Sequence, residues 1–282
     1  SWLAQAAKEG RRLPPREELP PEALWDAEEL FQLGDRMLEM LRRGGHAESL
    51  PIVSVSLPGR LEEATADHLR MLGAALEHLC KYLAGAFKEI GCPADCGVFV
   101  GSCSLKRQSA EPPYEKAVEA FGLWYGHSLV RKILISGQQS AEDDGFAFLE
   151  SSLSGLLAQH QLVQRLSSLD DISKCKDWAS LRKACALGRP PPLTPEGAAA
   201  LLDSRRFASP ELREAAKGCY RSAFVAAAGG CRRLIFARLG WGDEELRTLA
   251  TALTRFPHLA ELFLEGNRIG DQGAGILAGV LP

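Results

Sequence analysis

Three short apolar runs alternate with longer stretches of helical periodicity over residues 45–160. The runs at Ile52–Leu57, Gly97–Val100 and Val130–Ile135 are rich in β-branched residues and are predicted to form buried strands. Between and after them, apolar residues recur every three or four positions, as they do from Leu69 to Leu83, which predicts amphipathic helices. Strands that alternate with helices predict an α/β fold with a parallel sheet, right-handed crossovers and helices on both faces.

The flanking segments have different patterns. Residues 1–44 are predicted to be an extended, charged, proline-rich arm followed by a helix from Pro21 to Arg43. Residues 161–230 are predicted to form a helical connector, in which Thr194 and Ser209 each precede a proline and are typical helix N-caps. Ser140 and Asp143 have the spacing of a capping box for the helix that follows the third strand.

Residues 231–282 contain an internal repeat. When Gly242-Asp243 is aligned with Gly270-Asp271, the offset is 28 residues and several apolar positions coincide. Each unit has the order short strand, turn, helix. Leu262 and Leu264 are expected to point inward from the strand, Asn267 to hydrogen-bond the backbone of neighbouring turns, and Asp271 to cap the next helix. The structural repeat residues are therefore Leu262, Leu264, Asn267, Ile269 and Asp271.

This pattern is similar to the LxLxxNxI core of leucine-rich repeats of the ribonuclease-inhibitor type. In the first unit, Leu239 stands at the asparagine position. This departure indicates a terminal repeat, since terminal repeats often differ from the others in an array. Two units bury little core by themselves, so we expect the array to continue beyond Pro282. The alternative is a two-repeat appendage on the α/β domain.

A second resemblance concerns residues 45–160 and rests on four segments: Ile52–Leu57, Gly97–Leu105, Ala120–His127 and Gly145–Ser152. The first segment lies at the position of the first strand in the proteins that carry these motifs. The other three segments are similar to the motifs G-V-F-W-D-x-x-S-L, L-x-Y-A-H and G-W-x-x-F-E-x-x, respectively. These motifs occur in large proteins of photosynthetic protists whose N-terminal domain resembles the TIR and heterokaryon-incompatibility (HET) domains. The resemblance implies a Rossmann-like fold of the flavodoxin or TIR type, followed by repeats.

TIR domains that cleave NAD use a glutamate in a W-C-x-x-E motif. By this resemblance, Glu150 is the candidate catalytic carboxylate, which would stabilise positive charge at the ribose as nicotinamide leaves. Three positions depart from the family pattern, because Phe146, Gly101 and Val100 replace a tryptophan, an aspartate and a second tryptophan. A site without these polar groups is poorly equipped to orient a nucleotide. The alternative for Glu150 is a solvated carboxylate in the first turns of a helix.

Ligands of parallel sheets bind beyond the carboxyl ends of the strands. In this chain those ends are Ser56–Gly59, Gly101–Gln108 and Ser136–Asp144. The candidates for contacting a nucleotide there are Gly101, Ser102, Ser104 and Lys106. For Lys106 the alternative is a solvated loop. At the end of the preceding helix, His127 is expected to have a capping or surface role.

Composition limits the function classes. The formal net charge is −3, so no overall basic field favours nucleic acid, and no apolar run is long enough to span a bilayer. The eight cysteines are scattered and lack metal-ligand spacing, which favours a reducing intracellular compartment and no bound metal.

Three functions are compatible with these patterns. The first is a non-catalytic scaffold or accessory subunit that binds a protein partner, as part of a larger complex, through its repeats and a degenerate TIR/HET-like domain without a cofactor. The second is an enzyme that hydrolyses NAD through Glu150. The third is a receptor or sensor of the immune type that self-associates through its α/β domain.

Overall fold

The structure is a computed structural model that describes most of the chain. The described residues are 2–9, 11, 13–24, 26–43, 49–57, 65–86, 88, 96–104, 117–135, 143–157, 162–185 and 189–281. The statements that follow concern these residues.

A parallel four-stranded sheet forms the centre of the α/β domain. Its strands are β1 (Ile52–Ser56), β2 (Gly97–Val100), β3 (Arg131–Ile135) and β4 (Val163–Leu166), in the order β2-β1-β3-β4. The three predicted strands and their parallel pairing are confirmed. β4 was not predicted, because its four residues include the polar pair Gln164 and Arg165 and lack the apolar run that identifies the others. Residues 161–230 are therefore not purely a helical connector.

One face of the sheet is covered by five helices: Trp2–Lys8, Ala27–Arg42, Ala66–Ala86, Leu169–Ser173 and Trp178–Ala184. Alternate strand residues such as Val53, Val55 and Ile133 point into this layer. The predicted extended arm is wrong in part, because Trp2–Lys8 is helical and packs on the long helix Ala66–Ala86 at Gly73. Two 3-10 turns, Arg16–Glu18 and Pro21–Ala23, connect it to the helix Ala27–Arg42, which begins later than the predicted start at Pro21.

The other face is covered by Glu119–Gly126, Gly145–Ser154, Pro195–Asp203 and Pro210–Gly230, and a short helix, Gly101–Ser104, follows β2. The predicted caps of the two proline-initiated helices are confirmed, since Thr194 accepts from the Gly197 amide and Ser209 from the Leu212 amide. The predicted capping box at Asp143 is wrong. The cap is Asp144, which accepts from the Ala147 amide at 2.8 Å, and Ser140 lies outside the described residues.

The repeat segment (residues 231–281) consists of β5 (Arg233–Ile235), helix Asp243–Leu253, β6 (Glu261–Phe263) and helix Asp271–Ala278. β5 and β6 are parallel, and Arg233 pairs with Glu261, which is the 28-residue offset of the sequence repeat. A continuous group of buried side chains joins this segment to the α/β domain, from Phe99 through Tyr220 to Leu249. The two parts therefore share one hydrophobic core.

Asp271 is the first residue of its helix and does not cap it. The N-cap is Gly270, and no side chain accepts a hydrogen bond in the cap position. The Gly270 amide instead donates to Oδ1 of Asp243, one repeat earlier, at 2.8 Å. The predicted capping role is therefore wrong, because the 28-residue stacking brings the preceding unit's aspartate closer to the turn. In the described part of the chain, no helix is both long and apolar enough to cross a membrane.

Candidate functional site

Glu150 lies at the carboxyl edge of the sheet, between β1 and the helices that cover it. The Asp144 cap starts the helix Gly145–Ser154 and directs Glu150 towards Ser56, the last residue of β1, and Tyr125. The strand order changes direction between β1 and β3, so this is the topological switch point where such sheets bind ligands. Glu150 therefore lies at the edge of the sheet where the sequence predicted ligands to bind.

The environment of Glu150 differs from that of a solvated carboxylate. Its side chain is only 7% exposed. Burial raises the pKa of the Glu150 carboxyl to about 8, against the opposing effect of hydrogen bonds with Ser56 and Tyr125. The expected alternative, a solvated side chain in the first turns of the helix, is therefore wrong. At neutral pH the carboxyl is mostly protonated and neutral.

The hydroxyl of Tyr125 lies between Glu150 and the backbone of β1. It donates a hydrogen bond to the Val55 carbonyl oxygen at 2.7 Å. Its hydrogen bond with Glu150 lowers the pKa of that carboxyl, as the bond with Ser56 does, and burial outweighs both effects.

Aromatic rings enclose this carboxyl on one side. Phe121 is the central ring. Its centroid lies 5.5 Å from that of Tyr125, 5.7 Å from that of Phe146 and 5.9 Å from that of Phe99. Trp124 stacks on Phe99, with the ring centroids 5.4 Å apart. The enclosure is apolar and explains why burial dominates the pKa of the carboxyl.

Gly101 lies where no larger side chain fits. A Cβ at this position would lie 2.5 Å from Cζ of Phe121 and 3.0 Å from Oε1 of Glu150. The space that an aspartate would need is thus filled by an aromatic ring, and its carboxylate would stand beside a second buried carboxyl. The glycine is a steric requirement of this packing.

The other nucleotide-contact candidates are only partly described. The hydroxyl of Ser104 accepts a hydrogen bond from the Val100 amide at 2.9 Å, which holds the turn after β2. The side chain of Ser102, the residue Lys106 and the segments 58–64, 105–116 and 136–142 lie outside the described residues. His127 follows its helix as the C-cap, and its Nδ1 accepts from the Leu129 amide at 3.1 Å, as expected for a capping role.

Sequence reasoning missed a group of buried cations at the opposite, amino end of the sheet. Lys132 is fully buried and donates a hydrogen bond to the His127 carbonyl oxygen. Its pKa is lowered well below the ordinary value, mainly by burial and to a smaller extent by the charge of Arg189. Arg189 donates to the Gly155 carbonyl oxygen at 2.7 Å. Arg131, on the other face, lies 5.0 Å from the ring centroid of Tyr82. The only available signal was the adjacent pair Arg131-Lys132 inside an apolar run.

Asn267 forms four hydrogen bonds within the repeat segment. Its Oδ1 accepts from the amides of Leu239 at 2.9 Å and Trp241 at 3.2 Å, and its Nδ2 donates to the carbonyls of Phe236 at 2.7 Å and Leu264 at 2.8 Å. These bonds join the turns of the two units, as the sequence predicted. The predicted inward residues Leu262, Leu264 and Ile269 are partly buried against the shared core.

Two pockets in the described part of the chain lie away from Glu150. One has a volume of about 380 Å³ and is lined by residues that include Ser168, Asp171 and Cys185. The other has a volume of about 340 Å³ and lies between the helices Trp2–Lys8 and Ala66–Ala86. No group of three or more His, Cys, Asp or Glu side chains among the described residues could hold a metal ion.

Comparisons with protein-family models, with curated proteins and with solved structures find no match to this chain. The functional argument therefore depends on the geometry of its own residues.

Proposed function

We propose that this protein is a non-catalytic interaction module, a scaffold or accessory subunit. In this proposal, a degenerate TIR/HET-like α/β domain carries leucine-rich repeats, and the exposed face of β5 and β6 binds a protein partner. The strand order β2-β1-β3-β4 is consistent with the flavodoxin-like arrangement. The observation that carries the proposal is the preorganised arginine–aromatic surface on the two repeat strands.

This surface consists of Arg233, Glu261 and Phe263. Nε of Arg233 lies 2.6 Å from Oε2 of Glu261, and Nη2 lies 3.0 Å from Oε1, so the pair is bidentate across the strands. The Arg233 guanidinium also lies 5.7 Å from the ring centroid of Phe263, which is 38% exposed. Arginine and aromatic side chains dominate the energetic centres of protein interfaces. Because the arginine is already held, little side-chain entropy is lost when a partner binds.

The state of Glu150 supports a role without catalysis. A carboxyl that stabilises a cationic transition state must be ionised. Burial favours the neutral form of Glu150 at neutral pH, and Phe121 fills the space beside Gly101. Both features favour packing over nucleotide chemistry.

Quantitative cross-linking in an extract of the source cells, read by mass spectrometry, tests the interaction. Wild type is compared with Phe263→Ala and Arg233→Ala, and with the control Leu123→Ala, since Leu123 is 58% exposed on the helix Glu119–Gly126. We expect a reproducible cross-linked partner whose recovery falls at least several-fold for the two surface variants and stays unchanged for the control. Equal recovery with all four proteins, or no partner with wild type, would overturn the proposal.

An NAD-hydrolysing enzyme is the second candidate, and the position of Glu150 at the switch point is the observation in its favour. Nicotinamide release is measured over hours from pH 6 to pH 9 for wild type and Glu150→Gln, with Glu196→Gln as the control, since Glu196 lies on the helix Pro195–Asp203. Activity through an ionised Glu150 should rise as pH approaches its pKa of about 8 and should be lost only in Glu150→Gln. Absence of release from all three proteins would exclude this function.

A further inference from the structure

Two cysteines of the α/β domain lie close together. The sulfur atoms of Cys80 and Cys96 are 3.8 Å apart. Cys80 lies on the long helix Ala66–Ala86, and Cys96 immediately precedes β2. No disulfide joins them in the structure, Cys96 is buried and Cys80 is partly exposed. A disulfide needs a sulfur separation of about 2.0 Å and a Cβ–S–S–Cβ dihedral of about 90° in either sense.

Cys80 also lines the 340 Å³ pocket, together with Lys8, Glu77 and Lys81. The pocket forms where the N-terminal helix packs on Gly73, since a Cβ there would lie 2.8 Å from the Lys8 amide nitrogen. Nζ of Lys81 lies 2.9 Å from Oε1 of Glu77, and two lysines beside one glutamate leave a net positive lining. A small anionic molecule with a reactive sulfur fits this lining, because its carboxylates would meet the lysines.

We propose that Cys80 and Cys96 form a redox-active thiol pair, in which Cys80 reacts with a small anionic disulfide such as oxidised glutathione and Cys96 completes an intramolecular disulfide. The pocket gives the oxidant access to Cys80, whereas Cys96 lies behind it in the core. The accessible thiol reacts first for this reason.

The chemistry proceeds in two balanced exchanges. The Cys80 thiolate attacks one sulfur of the small disulfide, forms a mixed disulfide and releases one small thiolate. The Cys96 thiolate then attacks the Cys80 sulfur, forms the protein disulfide and releases the second small thiolate. The two protein thiols lose two protons and two electrons, and the oxidant is reduced to two thiols. The sulfurs must approach by about 1.8 Å, which rotations of the two side chains supply.

Disulfide mapping on the full chain tests this proposal. The protein is equilibrated with graded ratios of reduced and oxidised glutathione, quenched with acid, alkylated, digested and analysed by mass spectrometry. We expect a peptide that links Cys80 to Cys96 and its disappearance after a reductant is added. The built-in control is Cys219. Burial raises the pKa of its thiol to about 11, so Cys219 should stay reduced during the oxidation and be recovered as the alkylated residue.

Single variants distinguish the two roles. Cys96→Ser should accumulate the mixed disulfide of glutathione at Cys80, several-fold above wild type, whereas Cys80→Ser should leave Cys96 reduced. Cys92 lies outside the described residues, so Cys92→Ser is included and should leave the Cys80–Cys96 link intact. In wild type, oxidation should raise the thermal midpoint by roughly 5 °C, because the bond closes a chain loop.

Three results would overturn the proposal. The first is that Cys80 and Cys96 both remain reduced at the most oxidising glutathione ratio. The second is a wild-type link between Cys80 and Cys92, and the third is a mixed disulfide at Cys80 that Cys96 never displaces. Circular dichroism of each variant verifies that it is folded, and wild-type mapping decides the proposal even if a variant is not.

Discussion

Replacing Asn267 with alanine removes four hydrogen bonds from the centre of the repeat segment. The two amides of Leu239 and Trp241 lose their acceptor, and the carbonyls of Phe236 and Leu264 lose a donor. The substitution therefore removes the side chain that links the two repeat units. We expect Asn267→Ala to destabilise the repeat segment more than any single exposed position of β5 or β6.

The size of the effect follows from the number of bonds and from their burial. Each intramolecular hydrogen bond contributes a net of about 0.5–1.5 kcal/mol. Four such bonds give about 2–6 kcal/mol, and partial burial lets water replace some of them, so the expected loss is about 2–4 kcal/mol. Asn267→Asp keeps the two acceptor contacts but places a carboxylate oxygen against two carbonyls. It should therefore retain only part of the stability.

Urea unfolding and hydrogen exchange measure this loss. Equilibrium unfolding is followed by circular dichroism for wild type, Asn267→Ala, Asn267→Asp and the exposed control Gln272→Ala. Hydrogen exchange should show faster exchange of the Leu239 and Trp241 amides in Asn267→Ala, because these amides lose their acceptor. An unfolding free energy within about 0.5 kcal/mol of wild type, a range typical of surface substitutions, would refute the reasoning.

Three further predictions concern the α/β domain. Burial raises the pKa of Glu150 from its ordinary value of 4.5 to about 8, so the free energy of unfolding should fall, by on the order of 1 kcal/mol per pH unit, as the pH rises between these values. Urea titrations at pH 5.5 and 7.5 should show a smaller fall in Glu150→Gln, and equal falls would contradict this pKa. Gly101→Ala should destabilise the fold by about 1–3 kcal/mol in thermal or urea unfolding because its Cβ meets Phe121, whereas Gly34→Ala, with open space around it, should be neutral or stabilising. Ser209→Ala should cost about 1 kcal/mol by loss of a helix cap, and an unchanged urea midpoint would contradict the capping role.

Local patterns predicted most of the secondary structure. β1, β2 and β3 stand out because strands buried on both faces require near-continuous apolar runs. The helix Ala66–Ala86 is identified by its three- and four-residue spacing. β4 has only four residues and includes Gln164 and Arg165, so its sequence carries no comparable apolar run.

The candidate site was located by sequence but not characterised by it. The motif around Glu150 identified this residue as the candidate carboxylate, and the strand order of the structure places it at the carboxyl edge of the sheet. Its protonation depends on Ser56, Tyr125 and Phe121, which come from other elements and meet only in the folded chain. The contact between Cys80 and Cys96 depends on tertiary packing in the same way.

The sequence alone determined the positions of β1, β2 and β3, the helix periodicities and the 28-residue repeat with Asn267 at its turn. These features depend on residues close together in the chain, or on a period that repeats identical contacts. The tertiary structure alone decided that Glu150 is buried, that Asp243 reaches the turn of the next unit, and that the N-terminal segment is helical against Gly73. The physical reason is that burial and hydrogen-bond partners are set by which distant elements pack together, and no local pattern encodes that choice.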